Sequence, residues 1–157
     1  MIKIIAVGKL KEKYWQEAYQ EYAKRLSKFV KLETIEIDEE KINDEKESLI
    51  NIAKEKEGER ILKKIDRNDF VILFDVQGEM KDSLQFAKFL QNKIDSVNGN
   101  ICFVLGGSYG FSNDVYARCQ FKQSISKLTF PHQFARIMAI EQIYRAFKIN
   151  NNEKYHK

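Results

Sequence analysis

Residues able to bind a ligand cluster after three apolar segments of this sequence. Three of only seven glycines fall in LGGSYG, residues 105–110, at the end of the apolar run ICFVL. LFDVQG, residues 73–78, ends a second apolar run, and ISKLTF, residues 125–130, stops at Pro131, the single proline. Ligands bind outside the carboxyl ends of strands in open α/β sheets, and glycines let the backbone approach them closely. We therefore expect these three segments to converge on one pocket.

The glycine segment alone is compatible with several readings. GGSYG has neither the GxGxxG spacing of a dinucleotide fingerprint nor the GKS or GKT of a phosphate loop, and a tight strand-to-helix turn explains it equally well. A Rossmann-like enzyme would need an acidic residue after the next strand to bind ribose, where KQSISKLT offers lysine and threonine instead. A hydrolase could use His132 and Asp75, but the sequence lacks a GxSxG nucleophile elbow.

Pro131 and His132 mark the start of a helix. We expect Pro131 at the first helical position, because proline lacks the N–H that would be unpaired there. Proline also favours extended backbone at Phe130, so the preceding loop keeps N–H and C=O groups free for a ligand. His132 lies in the first turn, where the helix dipole disfavours its protonated form. The other histidine is His156 and no carboxylate cluster accompanies either, so we expect no metal site.

Apolar periodicity predicts alternating strands and helices along the whole chain. Strands are predicted at 1–7, 31–37, 69–76, 100–105 and within 123–130, and helices at 13–27, 46–65, 83–95, after Ser112 and at 131–149. Continuous apolar runs such as DFVILFDV are typical of strands buried on both faces of a parallel sheet. The sequence therefore predicts one α/β domain, residues 1–157, with a parallel-rich sheet and helices on both faces.

The charge distribution favours RNA as a partner without deciding the matter. Residues 1–31 and residues 111–157 each carry eight Lys or Arg against three Asp or Glu, whereas residues 33–60 carry five against eleven. Basic surfaces attract phosphate-rich RNA, and solvated helix faces would produce the same pattern.

The absence of membrane and secretion signals in the sequence indicates the cellular compartment. No apolar run reaches the ~18 residues of a transmembrane helix, and the start does not match a secretory signal. Cys102 and Cys119 lack metal-ligand or disulfide-framework spacing. We expect a cytoplasmic protein with reduced cysteines and no membrane association.

Several long motifs resemble one family of RNA-modifying enzymes. FVLGGSYGFS, SISKLTFPHQFARIMAIEQIYRAFKI and the terminal YHK are similar to the RlmH (YbeA-type) family, small bacterial methyltransferases of the SPOUT superfamily. IIAVGKLKEKYW and KEGERIL, residues 56–62, resemble the same family. The resemblance therefore spans essentially the whole chain.

The resemblance implies a fold, a cofactor and a reaction. The α/β sheet would carry a C-terminal trefoil knot, a kind of threading that is nearly absent elsewhere. The protein would be a homodimer that binds S-adenosylmethionine and methylates N3 of a pseudouridine in 23S ribosomal RNA of the assembled ribosome. Carried over by motif, the cofactor-binding positions are Phe74, Gly106, Ile125, Ser126, Lys127, Leu128, Thr129 and Phe130.

The same resemblance implies that Arg145, Tyr155 and His156 position the substrate, with His156 as the candidate base. The alternative for Arg145 is an ion pair with Glu141, four residues earlier on the helix. The terminal NNNEKYHK has no core pattern, so we expect its order to come from a partner surface or a ligand. The sequence ends in Lys157 where family members often have arginine, which keeps the charge but loses the planar group that matches phosphate.

Two further expectations concern RNA. Phosphate contacts would come from Lys9, Lys11, Lys13 and the basic C-terminal third. A non-catalytic module that binds RNA or the ribosome would share these basic ends, but it would have no affinity for S-adenosylmethionine.

Overall fold

The computed structural model describes residues 1–157, in which five strands and five helices alternate. The elements are β1 Ile2–Val7, α1 Lys13–Leu26, β2 Leu32–Ile37, α2 Glu47–Leu62, β3 Phe70–Met80, α3 Ser83–Ser96, β4 Ile101–Leu105, α4 Asn113–Arg118, β5 Phe121–Ser124 and α5 His132–Asn150. No helix combines the length and apolar character needed to cross a lipid bilayer.

All five strands form one parallel sheet in the order β2-β1-β4-β3-β5. Strands β1 and β4 are buried along their whole length, and β3 is buried at Val71, Ile72 and Leu73, as their continuous apolar runs predict. Each crossover between parallel neighbours contains a helix, because parallel strands cannot be joined by a tight turn. The predicted α/β class with a parallel-rich sheet is confirmed.

Helices cover both faces of the sheet. Side chains on alternate positions of β1 point to opposite faces, so Ile2 and Ile4 pack with α1, α3 and α5, whereas Ile5 and Val7 pack with α2 and α4. The first of these two cores is the larger. Each fully buried Ile, Leu or Phe in them contributes about 1.5–3 kcal/mol, so the two cores hold the strand ends in fixed positions.

The pairing of β3 with β5 is irregular in a way that shapes the site. Gln123 lies opposite both Phe74 and Glu79, so the four residues between them bulge out of the ladder. Gly78 in this bulge lies against the backbone of β5: a Cβ at this position would be 2.7 Å from the carbonyl carbon and oxygen of Lys122. The segment after Phe74 therefore packs directly against the backbone of β5.

Two predicted boundaries differ from the structure. β3 continues to Met80 instead of ending at position 76, because residues after the bulge pair with β5 again. β5 ends at Ser124, so residues 125–131 form an irregular loop instead of a strand. Pro131 is the residue before the first helical position of α5, with extended ψ of 136°, so its predicted place was wrong by one residue.

The start of α5 is bound to the ends of β1 and β2 by a buried arginine. The Arg136 guanidinium donates to the Gly8 carbonyl oxygen at 2.6 Å and to Glu36 Oε1 at 2.7 Å, and its side chain is 2% exposed. Gly8 has a φ of +82°, which glycine adopts without strain. Because charged hydrogen bonds are among the stronger ones, Arg136 fixes α5, and the loop before it, against the sheet.

Candidate active site and cofactor site

Two adjoining cavities lie at the carboxyl ends of β3 and β5. The larger is a cleft of about 830 Å³ and the smaller a cavity of about 210 Å³. Phe74 and Ile125 line both, so they form the boundary between the two spaces. Two cavities that share a wall can present one molecule to another, which is the arrangement a group-transfer reaction needs.

The smaller cavity collects the three segments identified in the sequence. Its lining includes the end of β3, the glycine segment through Gly107, and most of the loop after β5. Six of the predicted cofactor-binding residues line it: Phe74, Ile125, Ser126, Leu128, Thr129 and Phe130. Gly106 is adjacent in sequence to a lining residue, and Lys127 does not line the cavity. The role of these residues in cofactor binding stays a prediction.

The loop 125–130 carries free backbone groups. None of its residues makes a hydrogen bond to another backbone group. The loop is held instead by side chains: Ser124 Oγ donates to the Ser126 carbonyl oxygen at 2.8 Å, and Ser126 Oγ accepts from the Leu128 N–H at 3.0 Å. Free N–H and C=O groups beside the apolar Phe74 and Phe130 side chains suit a ligand that has both an aromatic ring and polar edges.

The end of β3 also carries an oriented carboxylate. Asp75 accepts from the Tyr116 hydroxyl at 2.6 Å and from the Gln77 N–H at 2.8 Å. Burial and this bond to Asp75 raise the pKa of Tyr116 well above its usual value. The bond ties α4 to the bulge that lines the smaller cavity.

The larger cleft has an apolar floor and a polar rim. Phe86, Phe134, Ile137 and Met138 supply the apolar surface, and polar side chains from α3, β5 and α5 surround it. His156 from the C-terminal tail lines the same cleft. Of the three predicted substrate-positioning residues, His156 is thus the one that faces this space directly.

Arg145 and Tyr155 meet at the carboxylate of Glu141, which lines the cleft. Arg145 Nη2 donates to Glu141 Oε1 at 2.5 Å, and the Tyr155 hydroxyl donates to the same oxygen at 3.0 Å. The guanidinium carbon lies 4.7 Å from the centre of the Tyr155 ring. The bond to Glu141 raises the pKa of Arg145, and burial, the neighbouring Tyr22 hydroxyl and Glu141 together raise the pKa of Tyr155.

The C-terminal tail is ordered by its own chain, so the expectation that only a partner or a ligand would order it was wrong. The Glu153 N–H donates to the Lys148 carbonyl oxygen at 2.9 Å, and Asn152 has a φ of 55° that turns the chain back toward α5. The Tyr155 ring packs edge-on against Tyr144 at 4.9 Å between ring centres. Polar and aromatic contacts, which produce no apolar periodicity, hold the tail against α5.

Sequence reasoning treated Glu141 only as an alternative partner for Arg145. The structure shows that partner, and it adds Tyr155 as a second donor to the same carboxylate. The spacing of Glu141 and Arg145 on one helix was the available signal. The chain reversal that brings Tyr155 back to Glu141 left no signal that periodicity can detect.

The remaining residues that the sequence analysis named lie at the start of α5 and around the loop after β1. His132 lines neither of the two cavities; its Nε2 lies 3.4 Å from where a Cβ on Gly8 would be. Gln133 accepts from the Lys11 N–H at 2.8 Å, which fixes the loop after β1. Lys9, Lys11 and Lys13 are all exposed on or beside this loop. The structure contains no group of three or more His, Cys, Asp or Glu side chains arranged to hold a metal ion.

Comparison with protein families identifies the family to which this fold belongs. A family model described as a predicted SPOUT methyltransferase matches residues 1–156. The chain belongs to the SPOUT methyltransferase family. The resemblance noted in the motifs is thereby confirmed over nearly the whole length of the protein.

Relatives of this SPOUT methyltransferase are similar along their full length. The chain is 50% identical over 157 residues to a protein of Clostridium kluyveri (strain ATCC 8527 / DSM 555 / NBRC 12016 / NCIMB 10680 / K1) named ribosomal RNA large subunit methyltransferase H, covering 99% of both chains. A Clostridium perfringens (strain SM101 / Type A) protein named ribosomal RNA large subunit methyltransferase H 1 is 51% identical over 159 residues, again covering 99% of each.

A solved structure shares the fold. It is described as a probable methylase family protein from Haemophilus influenzae Rd KW20, with a TM-score of 0.52 at 16% identity. The similarity covers 96% of this SPOUT methyltransferase and 66% of the other chain. At this identity the comparison supports the arrangement of strands and helices.

Proposed function

We propose that this protein transfers the methyl group of S-adenosylmethionine to N3 of a pseudouridine in 23S ribosomal RNA, within assembled ribosomes in the cytoplasm. The observation that carries this proposal is a pair of adjoining cavities in a SPOUT methyltransferase. Three strand-end segments line the smaller cavity, and His156 lines the larger cleft beside it. Full-length relatives named as large-subunit ribosomal RNA methyltransferases support the substrate class. Residues 1–157 would act as one domain, without a metal.

The smaller cavity suits the cofactor on chemical grounds. S-adenosylmethionine has an aromatic base, ribose hydroxyls and a charged amino-acid end, and when bound it supplies an electrophilic methyl group. Phe74, Leu128 and Phe130 offer apolar surface, and the backbone of residues 125–130 offers unpaired donors and acceptors. Gly106 and Gly107 allow close approach of the glycine segment. Lys127 would contact the same ligand through its backbone N–H and C=O groups.

The larger cleft suits the acceptor base. The nucleophile is an imide nitrogen that must lose its proton before it attacks. His156 lines the cleft and is the candidate acceptor of that proton. Arg145 is bound to Glu141 at the same rim, where its cationic charge would offset the negative charge of that carboxylate beside a developing anion. The rest of the task is alignment of the two reactants, because the cofactor itself provides the reactivity.

Dimer formation and knotting belong to the same proposal. Leu84 and Phe134 border the larger cleft and are 57% and 37% exposed. A second copy of this chain that packs beside the cleft and leaves it open to the RNA would remove this apolar surface from water. The proposed trefoil knot is supported by the match to the SPOUT methyltransferase family. The dimer interface would then lie near the active site that the tail completes.

The deciding experiment is mass spectrometry of ribosomal RNA after ribosomes are incubated with the protein and S-adenosylmethionine. We expect one added methyl group on a pseudouridine of the large-subunit RNA. His156→Ala and deletion of residues 155–157 should each reduce methyl transfer by about 100-fold or more, the typical contribution of an acid–base group. Unchanged transfer in both variants would remove the tail from the active site.

The alternative of a non-catalytic RNA-binding module is tested by calorimetry with S-adenosylmethionine. The proposed enzyme should bind it saturably, and Thr129→Pro should weaken binding because it removes a backbone N–H and restricts the loop. A protein that binds ribosomes but not the cofactor would be the module instead.

A further inference from the structure

The carboxylate of Glu141 is fully engaged within the cleft. Its Oε1 accepts from Arg145 and Tyr155, and its Oε2 accepts from the Gln142 side-chain amide at 2.7 Å. The Glu141 side chain is 15% exposed. Three donors on one partly buried carboxylate fix its orientation much more firmly than a surface helix pair would, because such pairs contribute little.

The three donors link Glu141 to different parts of the site. Arg145 lies one turn further along α5, and Tyr155 belongs to the tail. Since His156 follows Tyr155 directly, the position of the tyrosine determines where the imidazole lies in the cleft. Gln142 is linked in turn to Ser83 at the start of α3. Glu141 thus joins the helix, the tail and the cleft wall.

We propose that Glu141 is a positioning residue that holds Arg145 and the tail together, and thereby fixes where the His156 imidazole lies in the cleft. This inference rests on the proposed function, since the substrate is the ribosomal RNA assigned there. Glu141 acts through Arg145 and Tyr155, and it does not line the smaller cavity. Its loss should therefore reduce the rate of methyl transfer and leave cofactor affinity unchanged.

The test compares three variants of the full-length protein. Glu141→Ala removes the acceptor, and Glu141→Gln keeps one carbonyl oxygen but removes the charge. Glu21→Ala is the matched control: Glu21 forms an equivalent pair with Arg25 four residues later, at 2.7 Å on the exposed face of α1. We expect kcat on ribosomes to fall about 100-fold in Glu141→Ala, the scale of a small misplacement, less in Glu141→Gln, and not in the control.

A second measurement reads the tail directly. In protein labelled with 3-fluorotyrosine, the fluorine resonance of Tyr155 is assigned by its loss in Tyr155→Phe. In Glu141→Ala this resonance should narrow and shift toward that of a mobile tyrosine, and Tyr144, which packs on Tyr155, should respond with it. The signals of tyrosines away from the tail, such as Tyr14 and Tyr109, should stay in place. A general loss of structure would move all seven tyrosine signals. If Glu141→Ala shows such a loss, the Tyr155 resonance is measured in Glu141→Gln instead.

Defined results would overturn the inference. It is wrong if kcat in Glu141→Ala stays within about threefold of wild type, if the cofactor Kd weakens as much as kcat falls, or if the Tyr155 resonance does not change. If wild-type protein transfers no methyl group to ribosomes, the proposed function fails instead. The fluorine measurement would still decide whether Glu141 holds the tail.

Discussion

Single residues at the amino ends of the strands form a buried ionic cluster. Lys3 Nζ lies 2.8 Å from Oδ2 of both Asp66 and Asp69, and the Lys3 and Asp69 side chains are 4% and 1% exposed. Asp69 also accepts from the side-chain amide of Asn100 at 2.8 Å. Burial alone would raise the pKa of Asp69, but the hydrogen bonds from Lys3, the Asp66 N–H and Asn100 outweigh it and lower that pKa.

Asp69→Asn should make stability less dependent on pH. Because the folded-state pKa of Asp69 is below its unfolded value, the carboxylate stabilises the fold above about pH 4 and loses this effect as pH falls through the folded value. We expect the variant to lose roughly 3 kcal/mol at pH 7, and the difference from wild type to shrink toward pH 3. Urea unfolding at several pH values measures it, with exposed Asp95→Asn as the control. A difference that is constant with pH would contradict the assignment.

At the scale of elements, continuous apolar strands were predictable because both faces of the sheet demand apolar residues. Asp82 and Ser112 cap α3 and α4, because the side chain of each accepts from a backbone N–H three residues later. The extent of β5 was not predictable, because ISKLTF has strand-like composition. The pairing of β5 with β3 ends at Ser124. The register of this pairing depends on the bulge in β3, which is formed by residues about 45 positions earlier in the chain.

Gly78→Ala tests the packing of this bulge. The added Cβ would lie within 3 Å of three backbone atoms of Lys122 and Gln123, which cannot rotate away as a side chain could. We expect a loss of about 3 kcal/mol in the free energy of unfolding and weaker cofactor binding, because the bulge follows Phe74. Chemical denaturation and calorimetry are the measurements. Val76→Ala in the same bulge, 44% exposed, should cost at most about 0.5 kcal/mol, and equal effects of the two would refute the packing argument.

For the whole molecule, the arrangement of exposed apolar residues predicts which surface would form the proposed dimer. Leu84→Glu places a charge beside the larger cleft and should shift the protein from dimer to monomer in sedimentation velocity experiments, because a buried unpaired charge is strongly unfavourable. Ile52→Glu is the control, since Ile52 is 47% exposed on α2, which covers the other face of the sheet. A dimer that survives Leu84→Glu but not Ile52→Glu would place the interface on that other face.

The basic loop after β1 should govern how salt affects binding to ribosomes. Replacing Lys9, Lys11 and Lys13 with glutamine removes three exposed charges and should lower the slope of log K against log salt concentration by about 2. The control replaces three exposed basic residues located between α2 and β3: Lys63, Lys64 and Arg67. Equal effects of the two sets would indicate attraction by net charge alone.

The buried bonds of Arg136 have a consequence for when the protein becomes active. Arg136 follows Gly8 by 128 residues, and its guanidinium holds the backbone at the end of the first strand. A nascent chain still attached to the ribosome that is making it cannot complete this contact until α5 has emerged. The loop 125–130 lies between β5 and the helix that carries Arg136, so it is fixed against the sheet at the same late stage. The cavity that this loop lines therefore forms late in folding, after most of the sheet has been synthesised.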